Sequence, residues 1–262
     1  MDNMITKIIS LSKKINKFYI DKEVVLEFGI NDLTSENNTQ YNNKIIEVII
    51  EDFQIYRKYK GVYFNIQNEE IIIRNIDDIK TKKHKEIINL IKFEINQYMP
   101  IDLQNYIVRY KKIKEIEDKE VIQGILFPRK FVTICNEISK KINIRHKYLN
   151  INFDILQKMI STRSINICGS KVSNIIENRK NDLIINKIYN NQIIESYILS
   201  KDYANREFIN NLSQSESTYY YGISDDYIKY TKKLEVNSKL NLHNDGNLID
   251  NINYLNELGM VT

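Results

Sequence analysis

Apolar residues recur along the chain in two rhythms, and their alternation predicts a mixed α and β protein. Ile45, Ile46, Ile49, Ile50, Phe53 and Tyr56 fall at steps of three and four, which is one face of an amphipathic helix. A second face, Ile87, Ile88, Ile91, Ile95 and Tyr98, predicts a helix over 81–98 with Phe93 and Ile95 in the core. Pro100 stops it, because the residue before a proline is pushed out of the helical region. Pro128 opens a third helix with Phe131, Ile134, Cys135 and Ile138 inward. Short apolar runs at 62–66, 70–74, 106–110 and 120–127 read as strands, the last two joined by a charged turn over 115–119. After Ser164, strands are expected at 165–168, 172–177, 183–189, 193–199 and 218–221, with helices near 206–212 and 248–258. The N-terminus reads two ways. Ile5, Ile8, Ile9 and Leu11 suit a short helix, whereas 17–20 and 23–28 read as strands closed by Gly29; residues 31–43 are polar enough for a loop.

Composition narrows the class. A chain of 262 residues, 42% hydrophobic, can bury a sizeable core, and 7 Gly with 2 Pro exclude collagen-like and linker sequences. The balance of 38 basic and 34 acidic residues gives +4, with no broad basic face of the kind nucleic-acid modules carry, so no nucleic-acid partner is expected. The densest apolar run, 45–53, is broken by acids, and no stretch reaches the roughly 18 apolar residues of a membrane span. With no signal-peptide pattern at the start, a soluble cytoplasmic chain is expected. Cys135 and Cys168 lie far apart with no CxxC pair, so neither a disulfide framework nor a zinc site is indicated.

The catalytic inventory is thin. His84, His146 and His243 lack metal-ligand spacing, and there is neither a GxSxG elbow nor a GxxxxGK[ST] phosphate loop. No catalytic residue and no metal ligand is expected. Asp77-Asp78 and Asp225-Asp226 each adjoin an expected helix start, where a carboxylate caps free backbone N–H groups. Lys80, Lys82, Lys83 and Lys85 form a dense basic cluster suited to anionic lipid or an acidic partner. Tyr219, Tyr220 and Tyr221 sit in a strand and are assigned to sheet packing.

One segment is more specific. From Lys60 to Tyr110 the order is strand, polar break, strand with Arg74, a helix reading Phe93-Glu94-Ile95-Asn96-Gln97-Tyr98-Met99-Pro100-Ile101-Asp102, then a strand. This resembles the PilM family, actin-like cytoplasmic proteins of type IV pilus assembly, with Arg74, Phe93, Glu94, Gln97, Tyr98, Pro100 and Asp102 matching in order. The resemblance implies an α/β, actin-like (ribonuclease H-like) fold with an inserted strand-helix-strand-strand subdomain and a reduced second lobe. Its expected division is a first lobe over 1–68, the inserted PilM/FtsA-type subdomain over 69–148 and a return helix over 149–164. The reduced second lobe follows over 165–246, and a C-terminal helix over 247–262.

Actin-like ATPases hold Mg-nucleotide with two Asp-x-Gly-type turns on paired hairpins and a Gly-Gly turn near the adenine. Aspartate reaches the metal's water shell, and glycine lets backbone N–H groups approach phosphate. By this resemblance the first turn falls in 8–14, which has neither residue. The second falls in 165–173, which keeps Gly169, Ser170 and Ser173 but sets Ile167 at the aspartate position. The third, 219–224, has Gly222 alone.

The resemblance therefore implies a pseudo-ATPase without ATP, Mg or any other cofactor, acting as a non-catalytic scaffold peripheral to the inner face of the cell membrane. Its implied partner is the cytoplasmic N-terminal tail of a PilN-like inner-membrane protein, in a groove between the main lobe and the inserted subdomain, with Tyr98, Met99 and Ile101 in contact. Pilus motor ATPases are further implied partners, and membrane association is indirect. The alternatives are a nucleotide-binding ATPase of the same superfamily and an adaptor of a type II secretion or cell-division complex. Residues after Leu258 offer no amphipathic membrane helix of the FtsA kind.

Overall fold

The ambiguous N-terminus is a hairpin. The computed structural model describes residues 1, 4–14, 17–35, 38–53, 59–77, 79, 83–116, 119–167, 171–236, 242–244, 247–248 and 254–261. In it β1 (Thr6–Lys14) pairs antiparallel with β2 (Lys17–Leu26), Thr6 opposite Leu26. The paired isoleucines of β1 and the Val24-Val25 step of β2 suit a pleated surface better than a helix, whose preceding turn crowds branched side chains. The segment expected as a loop is instead largely helical. Asp32 accepts from the Gly29 N–H at 2.9 Å to start α1 (Ile30–Leu33), and α2 (Asn38–Phe53) begins with a polar first turn that apolar periodicity does not register. Tyr56 lies outside the described residues.

β3 (Val62–Ile66) is followed by β4 (Ile72–Asp77), so Asp77 ends a strand and caps no helix; Asp78 lies outside the described residues. Next come α3 (His84–Tyr98), β5 (Tyr106–Ile116) and β6 (Lys119–Pro128), and the three strands form an antiparallel sheet ordered β4-β6-β5. Ile87, Ile91 and Ile95 of α3 pack on it with Ile76, Val108, Ile122 and Leu126, a hydrophobic core separate from the main one. Gly124 permits the approach, since a Cβ there would stand 2.9 Å from Ile91 Cγ2. On the other side, Gln123 Nε2 donates to the Ile193 and Ile194 carbonyls at 3.3 Å, and Asn75 Nδ2 to Ile194 O at 2.6 Å, which seats this sheet on the second lobe.

α4 (Arg129–Lys141) departs from expectation. Phe131, Ile134, Cys135 and Ile138 belong to the main core with Ile45, Ile66 and Phe153, so the subdomain's own core ends at β6. The chain then forms β7 (Lys147–Ile151), parallel to β3, and α5 (Asn152–Ser161).

The second lobe comprises β8 (Ile165–Asn166), β9 (Val172–Asn178), β10 (Asp182–Tyr189), β11 (Gln192–Ser200), α6 (Tyr203–Ser215) and β12 (Ser217–Gly222). After them run β13 (Lys232–Lys233), β14 (Glu235–Val236), β15 (Leu242–Asn244), β16 (Asn247–Leu248) and α7 (Leu255–Val261). Asn190 and Asn191, both with positive φ, turn β10 into β11. The main sheet is ordered β11-β10-β9-β12-β13: an antiparallel meander extended by two strands parallel to β9, the ribonuclease H-like arrangement. β15 returns to pair parallel with β2, and β14 pairs with β8. Among the described residues no helix is long and apolar enough to cross a membrane.

Asp225 caps as expected, accepting from the Tyr227 N–H at 3.0 Å. It also accepts from Lys201 Nζ at 2.7 Å and Asn178 Nδ2 at 2.9 Å, tying β9 and β11 to the end of β12. Burial works against its charge, but these donors outweigh it and its pKa lies below the ordinary value. Stability from a lowered carboxyl pKa is complete above the unfolded value of about 3.9 and is lost as pH falls through the folded one. Asp225→Asn is therefore expected to lower stability at pH 7 and to flatten the loss below about pH 4, read from chemical denaturation at several pH values.

Candidate functional site

The end of α3 and the free edge of β4 enclose a small cavity. α3 stops at Tyr98: the Met99 N–H bonds Ile95 O at 2.8 Å, Met99 is extended, and Pro100 prevents another turn. Asp102 then caps a short turn, accepting from the Gln104 N–H at 3.0 Å. The cavity, about 310 Å³, is lined by Arg74, Asn75, Ile76 and Asp77 from β4 and by Glu94, Ile95, Tyr98 and Met99 from α3. β4 is an edge strand, so its outer backbone groups face no partner strand among the described residues. Tyr98 is 74% exposed at the rim.

Two of the three expected contact residues, Tyr98 and Met99, thus meet at one pocket, while Ile101 packs with Met99 against the subdomain core. Arg74 and Glu94, singled out in sequence for the order of the motif, line the same pocket. Phe93 does not behave as expected. It is 59% exposed, because it lies two residues from both Ile91 and Ile95 and so turns away from their buried stripe. Lys83 is exposed and pairs with Glu86 at 3.0 Å, Lys85 is exposed, and Lys80 and Lys82 lie outside the described residues.

A larger cleft of about 1380 Å³ separates the lobes. Its walls include β1, β3, residues 177–182, the Tyr221-Gly222-Ile223 turn and α7. The structure corrects the location of the second lobe's hairpin turn. That turn is at 179–181, between β9 and β10, not in 165–173. Ser173 is buried within β9 opposite Ile188, Ile167 packs against the main core, and Gly169 and Ser170 lie outside the described residues.

Two acids flank the true turn, Glu177 and Asp182, and sequence reading assigned neither; the polar run Asn178-Arg179-Lys180-Asn181-Asp182 between two apolar runs was the available signal. Glu177 accepts from Asn152 Nδ2 at 2.7 Å, Tyr221 OH at 2.8 Å and Arg179 Nε at 2.8 Å. Burial, then the Glu177 charge, pushes the Tyr221 hydroxyl well above its ordinary pKa, so it stays a donor to Glu177.

Gly222 does line the cleft. Its φ is +94°, and a Cβ there would stand 2.3 Å from Asn178 O, so this turn is closed by backbone contact that only glycine permits. Among the described residues no group of three His, Cys, Asp or Glu could hold a metal ion. Cys135, with its pKa raised to about 12 chiefly by burial, is a core residue and not a nucleophile.

No family model matches the chain, and no curated protein matches it in sequence. Solved structures do match in fold. A chain of the PilM–PilN type IV pilus biogenesis complex superposes with a TM-score of 0.66 at 10% identity, covering 99% of this chain and 95% of that one. The fold is that of PilM. The cytoplasmic domain of EpsL, an inner-membrane component of the type II secretion system of Vibrio cholerae, matches with a TM-score of 0.51 at 9% identity, covering 93% of this chain and 84% of that domain. The PilM-type, actin-like fold therefore spans nearly the whole chain, the α3–β4 pocket and the interlobe cleft included.

Proposed function

We propose that this protein is a non-catalytic adaptor of a pilus or related secretion assembly, holding the cytoplasmic N-terminal tail of a PilN-like inner-membrane protein at the α3–β4 pocket. The observation that carries this reading is the convergence of Arg74, Glu94 and Tyr98 on one pocket beside a free strand edge. An extended tail would add along β4 through main-chain hydrogen bonds, a recognition mode in which alternate side chains enter pockets. Tyr98 would cover its apolar side chains, and Arg74 with Glu94 would fix its register by charge. A tail that orders on binding loses entropy, so a groove built on a helix and a packed sheet suits it. The partner would place the chain at the inner face of the cell membrane.

We read the interlobe cleft as a structural joint and not a nucleotide site. Glu177 is engaged by three donors, and the Gly222 turn is packed against Asn178. The test is a pair of thermal melts of the full chain, one with Mg-ATP and one with a synthetic PilN-type N-terminal tail peptide. At 100-fold excess over Kd a ligand adds about 2.7 kcal/mol, a shift of several degrees. A shift with peptide and none with Mg-ATP is expected. A shift with Mg-ATP alone would overturn both parts and favour the actin-like ATPase.

A further inference from the structure

The interlobe cleft is larger than a joint between lobes requires, and much of its wall is apolar. At about 1380 Å³ it exceeds the roughly 300–1,000 Å³ of a pocket for a compact ligand. Residues 5–13 all line it, so both faces of β1, the edge strand of its sheet, border the space. On the inner side the cavity reaches the main core at Phe18, Ile45 and Ile49.

Two distributions mark this wall as a binding surface. Of the twelve large hydrophobic side chains exposed among the described residues, four line this one cavity: Met4, Tyr59, Tyr63 and Ile223. Exposed apolar surface gathered in a groove with polar margins is what ligand sites present. Three of the chain's five methionines, Met1, Met4 and Met260, also line it. An unbranched thioether side chain adapts its shape, which suits an aliphatic ligand with many conformers. Water fills such walls poorly, because each buried molecule needs about three polar partners.

The charges of the wall are unevenly engaged. Glu177 and Asp182 face Arg179, Glu257 pairs with Lys7 at 3.3 Å, Asp21 accepts from Ser12 Oγ at 2.9 Å, and Glu69 has a partner of its own. Lys13, Lys60 and Lys180 are exposed on the same wall and pair with no carboxylate among the described residues. Exposed lysines without a carboxylate occur elsewhere on the chain, so their charge alone selects nothing. Here they border the same cavity as the apolar surface, and an amphiphile with an anionic head group uses both.

We propose that the interlobe cleft holds a long-chain fatty acid, its chain against β1 and the methionines and its carboxylate among Lys13, Lys60 and Lys180. The inference stands apart from the tail pocket. The full chain is titrated with 11-(dansylamino)undecanoic acid, whose emission rises as it leaves water, and the bound probe is then displaced with unlabelled competitors. Palmitate is expected to displace it at least ten-fold better than laurate, since each buried methylene contributes roughly four-fold. Butyrate, which has the head group and almost no chain, should not displace it.

Met4→Glu with Ile223→Glu sets two carboxylates at wall positions that are 58% and 46% exposed, and is expected to weaken palmitate at least ten-fold without changing the melt. Val25→Glu, comparably exposed and off the cleft, should bind as the parent does. If the double variant melts early, Met4→Glu alone replaces it, with a loss of at least three-fold expected. Lys60→Gln with Lys180→Gln should weaken palmitate several-fold and leave 1-hexadecanol unaffected. No binding of the probe, butyrate as effective as palmitate, or parent-like binding by the carboxylate variants would each overturn the proposal. So would displacement by Mg-ATP or by the tail peptide but not by palmitate, which would give the cleft to a different occupant.

Discussion

Replacing Glu177 with alanine is expected to destabilise the protein by about 3–5 kcal/mol, a large part of the 5–15 kcal/mol of a typical domain. The carboxylate is nearly buried where the lobes meet, and three donors converge on it from α5, β12 and the β9–β10 turn. Its removal leaves Asn152 Nδ2 and the Tyr221 hydroxyl buried without their shared acceptor, and takes from the half-buried Arg179 guanidinium the nearer of two carboxylate partners, Asp182 standing at 4.0 Å. Glu177→Gln should fall between, because one amide oxygen can serve some donors while the new NH₂ group opposes the others. Chemical denaturation reads both variants. A cost below about 1 kcal/mol for Glu177→Ala would mean that the cluster is not structural and that Glu177 is available to a ligand in the cleft. Tail affinity should be unchanged in either variant, since the α3–β4 pocket has its own core.

Replacing Tyr98 with alanine should do the opposite. A ring 74% exposed contributes little to folding, so stability is expected to change by no more than about 0.5 kcal/mol. An aromatic anchor at the centre of an interface commonly contributes about 2 kcal/mol, so affinity for a PilN-type tail peptide should drop roughly 30-fold. Phe93→Ala is the matched control: an exposed aromatic on the same helix that does not line the pocket, expected to leave affinity within about two-fold. Unchanged affinity for Tyr98→Ala, or an equal loss for Phe93→Ala, would remove Tyr98 from the interface.

How far the sequence carried these assignments depended on whether the determinant was local. The end of α3 was legible because Pro100 and the Ile87-Ile91-Ile95 stripe act within a few residues, and the strands of the second lobe were legible as apolar runs between polar turns. The first turn of α2 was not, since the exposed Thr39 and Gln40 carry no apolar period. Phe93 was misplaced because hydrophobicity was read without helical angle. Gly169 drew the second-lobe turn to the wrong segment, whereas the real turn at 179–181 needs no glycine. That α4 joins the main core, and that β3 pairs with β7, follow from long-range docking, which one-dimensional patterns do not report.

The most direct test of the adaptor account is amide hydrogen exchange of the full chain, with and without a saturating PilN-type tail peptide. The account predicts slowed exchange confined to β4 at 72–77 and to the end of α3 through 94–101. Slowing along β1 and β3 in the interlobe cleft instead, or none anywhere with the peptide bound, would contradict it.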